Sequence, residues 1–188
     1  MGRAENLIRQ GVVPAQNAEG APPPEHWRYT RHLEALAAAA GAGETAAAAE
    51  AAGVAEAAVR VEAEAVAAVL RDPDPVMAES AVVTHLDRRA AQLLDDPRFP
   101  GWARALRGAL GDHAFPARRL REWTLLKAIS RGEPWSAEDL TAASDWCQRT
   151  AAQSLTSYEA LTLLADAART RRVRNSAAAR LRRRSLGG

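Results

Sequence analysis

Between Pro116 and Ser154 apolar side chains recur at three- and four-residue steps, tryptophans fall among them, and helix-punctuating residues bound each run. That spacing gathers apolar side chains on one face of a helix and is incompatible with the two-residue alternation of a half-buried strand. Leu120, Trp123, Leu126 and Ile129 form the first such face, in a helix opened by Pro116 and broken at Gly132 and Pro134. Ser136-x-x-Asp139 has the form of a capping box with Asp in the place of Glu. It opens a helix that continues through Trp146 and buries Leu140, Ala143, Cys147 and Ala151. The two helices read as one antiparallel pair, the unit of the fold.

The rest of the chain agrees with an all-α class. Alanine, the best helix former, is very abundant, and no run of β-branched and aromatic residues alternates at period two. A chain of 188 residues suffices for one domain with a real core. Residues 1–24, interrupted by Pro14, Gly20 and the Pro22-Pro23-Pro24 run, are expected to form a flexible arm. Residues 25–184 are expected to form the single helical domain, and residues 185–188 a frayed tail.

In chain order, a helix is expected from Glu25 to about Ala40, ended by Gly41 and Gly43. Two more are expected over about 44–51 and 54–71, the second with Val54, Ala58, Val61, Ala65 and Val69 inward. Asp74-Pro75 is an N-cap followed by proline at the first helical position. It opens a helix to about Leu94 with Val76, Val83, Leu86, Ala90 and Leu93 inward. Pro100 opens a shorter helix with Trp102, Leu106 and Leu110 inward, closed by Gly111. Thr156-x-x-Glu159 is a capping box ahead of Leu161, Leu164, Ala165 and Ala168. The last helix is expected from about Val173 to Arg184.

Charge is unevenly distributed. Residues 1–96 hold 8 arginines against 15 acids, a balance of −7, and residues 97–188 hold 17 basic residues against 8 acids, a balance of +9. Arginine supplies nearly all of the positive charge, since Lys127 is the sole lysine. The single cysteine, Cys147, lies on an apolar helix side and reads as a buried thiol. No stretch approaches a membrane span and no secretory leader is visible, so a cytoplasmic location is expected.

The segments LRDPDPVMAESAVVTHLDRRAAQLL and SYEALTLLADAARTRRVRNSAAARLRRR resemble HEAT-like helical repeats: the first a repeat helix with its preceding turn, the second the closing repeat of an array. The resemblance covers about residues 70–184. It implies a stack of eight or nine helices in antiparallel pairs, an α-solenoid whose inner surface binds a partner. An irregular helical bundle is the alternative.

No reaction centre is legible. His26, His32, His85 and His113 are scattered, and there is no Cys-x-x-Cys pair, His-Glu-x-x-His motif, phosphate-cradling glycine loop or serine elbow. The sequence therefore suggests no catalytic residue, cofactor or metal, and a non-catalytic scaffold or adaptor is expected. Its candidate contact residues are Trp135 and Trp146, because tryptophan is enriched in binding hot spots, with the arginines of the last helical region, Arg169, Arg171, Arg172, Arg174, Arg180 and Arg183. Those arginines suit another protein with an acidic surface. Nucleic acid is the second candidate partner, although no aromatic residue is interleaved for base stacking.

Overall fold

The structure, a computed structural model, describes residues 25–48 and 52–186. The expected arm over residues 1–24 lies outside them. Among the described residues the chain is all helical. The helices are α1 (Glu25–Ala48), α2 (Ala52–Val69), α3 (Pro75–Leu93), α4 (Phe99–Leu110), α5 (Ala114–Arg131), α6 (Ala137–Ala142), α7 (Asp145–Ser154), α8 (Tyr158–Ala167) and α9 (Arg171–Leu186).

Local chemistry explains most boundaries. The Asp74 carboxylate accepts the Met77 amide at 3.0 Å and Pro75 opens α3. Gly132 ends α5 in the left-handed region, at φ 68°, a conformation costly for residues with a Cβ. The Glu133 amide then donates back to the Ala128 carbonyl at 2.9 Å and the Gly132 amide to Ile129, satisfying carbonyls that the helix end leaves open. Ser136, Ser144 and Ser157 cap α6, α7 and α8.

Several boundaries differ from the sequence reading, among them the starts of α5 and α9, which lie two residues before the expected Pro116 and Val173. Gly41 and Gly43 do not end α1, which runs on to Ala48, and residues 44–48 belong to α1 rather than to a separate helix. An interior glycine costs only about 1 kcal/mol relative to alanine, and the flanking alanines favour continuation. The single helix expected from Ser136 to Ala151 is two, because Ala143 is extended and Ser144 caps a new start. Two buried side chains stabilise that break. Glu122 accepts the Ser144 amide at 2.9 Å, and the Gln148 amide donates to the carbonyls of Leu140 and Thr141 at 3.1 and 2.8 Å. The cap of α8 is Ser157, which accepts the Ala160 amide, and not Thr156. At the C-terminus, the helix extends through Leu186, two residues into the expected tail.

Helix α1 contacts α2 and α3, α2 contacts α4, α3 contacts α5, and α5 contacts α7; α6 contacts α8, and α9 contacts both α7 and α8. One buried cluster extends from Leu36 and Val66 through Trp102, Leu120, Trp123 and Leu140 to Leu161 and Ala177. The inward faces of α4, α5 and α8 are those read from the sequence. In α2 Ala58 and Val69 are buried as read, Ala65 is half-buried and the Val54 side chain lies outside the described residues, but Val61 is exposed, and Val66 and Glu62, the latter only 1 % exposed, take inward places. For Glu62 the reason is hydrogen bonding. The carboxylate of Glu62 accepts His85 Nε2 and Trp102 Nε1, each at 2.8 Å, and its second oxygen lies 3.6 Å from Arg89 Nε. A buried carboxylate persists only with such donors. Val76, expected inward, is exposed on the first turn of α3. Lys127 is buried as well. Its ammonium donates to the carbonyls of Leu93, Leu94 and Asp96, so it caps the end of α3.

Candidate functional site

The most chemically distinctive surface lies where α5 meets α6 and α7. Its support is a joint of three helices. Asp87 on α3 accepts Arg119 Nη1 at 2.6 Å and Trp123 Nε1 at 2.8 Å. The Arg119 guanidinium also lies over the Trp146 ring, 3.6 Å from its centroid, and the Trp123 and Trp146 rings meet edge to face at 5.4 Å. A guanidinium between a carboxylate and an indole face is held by both charge and ring quadrupole. Glu122 lies beside it, 3.7 Å from Arg119 Nε. Cys147 is buried at the same joint. Burial, reinforced by the nearby Glu122 charge and partly offset by Arg119, pushes its thiol up to about 12. The thiol is thus neutral and unreactive while folded.

On the outer side of this joint is a groove of about 290 Å³. Arg118 and Arg121, both exposed, line it from α5; Leu125, Ala142 and Ala143 give it apolar surface; Asp139 and Ser144 line it from the α6–α7 side. Neither Arg118 nor Arg121 makes an ion pair among the described residues, although Arg118 lies over the Phe115 ring at 5.7 Å. Glu122 also lines it, so the groove presents two guanidiniums without an ion-pair partner among the described residues, two carboxylates and a strip of hydrocarbon.

The arginines singled out in the sequence divide into two groups. Arg174 donates to the Ala168 carbonyl at 2.6 Å, Arg180 to Ala152 at 3.0 Å, and the neighbouring Arg184 to Thr156. These three fasten α9 to the ends of α7 and α8, replacing the missing donors of a helix C-terminus. Arg171, Arg172 and Arg183 are exposed and carry no ion pair among the described residues. Arg169 is exposed and lies 3.6 Å from Asp145, at the start of α7, while its amide donates to the buried Gln148. Trp146 is half-buried beneath Arg119, and Trp135 is half-buried against the core.

The sequence reading missed Arg118 and Arg121. A signal was present: both fall off the Leu120–Trp123 stripe, so neither has a place in the core. No group of His, Cys, Asp and Glu among the described residues is arranged to hold a metal ion, and no described helix is long and apolar enough to cross a membrane. No protein-family model matches the chain, and neither a curated protein nor a solved structure matches it.

Proposed function

We propose that this protein is a non-catalytic binding scaffold that takes an acidic segment of a partner protein on its α5–α9 side. The carrying observation is the α5–α7 groove, where Arg118 and Arg121 stand beside apolar surface without an ion-pair partner among the described residues. The exposed Arg171, Arg172 and Arg183 extend the cationic surface along α9, and Arg169 beside Asp145 lies between the two. Charge complementarity of this kind raises association rate and selects the partner.

The order of helix contacts supports a HEAT-like stack as the scaffold. Contacts run from α1 to α3 to α5 to α7 to α9, and separately from α2 to α4 and from α6 to α8. Such an order arises when helices stack in successive layers, each burying its neighbour's apolar face.

Capture of the tagged protein from its native lysate, divided into nuclease-treated and untreated halves, tests the proposal. A defined protein recovered equally from both halves, and lost when Arg118 and Arg121 are both changed to Glu, supports it. Recovery that collapses with nuclease overturns it in favour of nucleic-acid binding through the exposed arginines of α9.

A further inference from the structure

The groove between α5 and the α6–α7 side carries charge of both signs, one on each wall. On α5, Arg118, Arg121 and Leu125 follow one another at steps of three and four residues and so share a helix face, the guanidiniums toward its N-terminal end and the hydrocarbon toward its C-terminal end. On α6, Asp139 and Ala142 are three residues apart and share a face in the same way. Leu125, Ala142 and Ala143 supply the apolar strip.

The two carboxylates that line the groove differ in what they have left to bind. Glu122 is 6 % exposed; one of its oxygens accepts the Ser144 amide at 2.9 Å and the other lies 3.7 Å from Arg119 Nε. Its charge is engaged inside the fold. Asp139 is exposed, and its carboxylate makes no hydrogen bond or ion pair among the described residues. Only its amide is engaged, donating to Ser136 Oγ at 3.2 Å. Neither Arg118 nor Arg121 pairs with it. Open charges of opposite sign therefore face one groove. A segment carrying acidic residues alone satisfies the arginines but meets Asp139 with like charge, and the repulsion grows as docking excludes water. A segment that also carries a cation satisfies both walls. The groove volume, about 290 Å³, suits a few side chains of such a segment rather than a whole cofactor.

We propose that the groove selects a partner segment in which an acidic and a basic residue flank an apolar one, and that Asp139 sets this specificity. This specificity rests on the partner-binding reading of the groove and names the chemistry of the segment it takes. Arg118 and Arg121 hold the segment's carboxylate, the strip of Leu125, Ala142 and Ala143 holds its apolar side chain, and Asp139 holds its ammonium or guanidinium. The same carboxylate disfavours polyanions in the groove.

Asp139 also stands in the first turn of α6, where an acid favours the helix, but Glu138 in that turn and the Ser136 cap remain when it is replaced. Asp139→Asn is therefore expected to keep the fold, which its Tm checks. Short random peptides displayed on phage are selected against the full chain, Asp139→Asn and Arg118→Glu/Arg121→Glu, and the enriched peptides are sequenced and synthesised. The native chain is expected to enrich peptides in which an acidic and a basic residue flank an apolar one. Replacing the basic residue of such a peptide by Gln is expected to weaken binding to the native chain about three- to fivefold, the size of an exposed ion pair, and to leave binding to Asp139→Asn unchanged. The arginine variant is expected to lose these peptides altogether. Enrichment of acidic peptides without a basic residue, lost in the arginine variant, overturns the role of Asp139 and leaves the acidic-segment reading standing. No enrichment, or equal enrichment by the native chain and the arginine variant, overturns both.

Discussion

Changing Glu62→Leu removes the acceptor at the centre of the α2–α3–α4 core while keeping apolar volume. Two buried donors, His85 Nε2 and Trp102 Nε1, each lose a 2.8 Å bond to the carboxylate, and the Arg89 Nε contact at 3.6 Å is lost with them. A buried donor stripped of its acceptor costs about 1–3 kcal/mol, so the two together amount to about 2–6 kcal/mol. For a domain of this size, at about 2–4 °C per kcal/mol, that corresponds to a fall in Tm of roughly 4–24 °C. Glu62→Gln retains an amide oxygen for one donor and should lose about half as much. Urea unfolding followed by far-UV circular dichroism reads both, as a lower midpoint at constant slope. If Glu62→Leu unfolds at the native midpoint, or Gln is as damaging as Leu, the carboxylate does not organise this core and the reasoning fails.

Other consequences follow from single side chains. Asp72 accepts the Asp74 amide at 2.9 Å, His32 Nε2 at 2.9 Å and Arg28 at 3.3 Å; led by the Asp74 bond, these hold its carboxyl below the usual value against an opposing desolvation. A lowered folded pKa stabilises above the unfolded value of about 3.9 and is lost as pH falls through the folded one. Acid titration of Tm should therefore show a steeper decline below about pH 4 in the native chain than in Asp72→Asn. The Cys147 thiol, pushed up to about 12, should resist a thiol-directed reagent at mildly alkaline pH and react fully in denaturant; rapid labelling of the folded chain would contradict its burial. Trp146→Ala removes the ring beneath Arg119 and the edge contact with Trp123, and thermal unfolding should show a loss of about 1–3 kcal/mol.

Features settled within a few residues were legible in the sequence. Asp74-Pro75 and Ser136 announce helix starts, and Gly132 announces a stop, because cap chemistry is local. The stripe Leu120–Ile129 was legible because periodicity survives in any tertiary setting. What failed depends on distant partners. The break at Ser144 is stabilised by Glu122, 22 positions earlier, and the burial of Glu62 by donors on α3 and α4. The α9 arginines looked equivalent in sequence. Arg180 is distinguished only by the Ala152 carbonyl, 28 positions away, that its guanidinium reaches in the fold. The groove at Arg118 and Arg121 was half legible: their place off the stripe was visible, whereas the apolar surface from Ala142 and Ala143 required the unforeseen break between α6 and α7.

The division of the arginines into fasteners and contact groups is the central claim, and one paired measurement tests it directly. Thermal stability and partner capture are measured for Arg118→Glu/Arg121→Glu and for Arg174→Ala/Arg180→Ala. The first pair is expected to keep the native Tm and lose capture. The second is expected to lose about 1–3 kcal/mol through its two carbonyl bonds and to retain capture while folded. The reverse pattern, with capture dependent on Arg174 and Arg180 and indifferent to Arg118 and Arg121, would contradict the assignment.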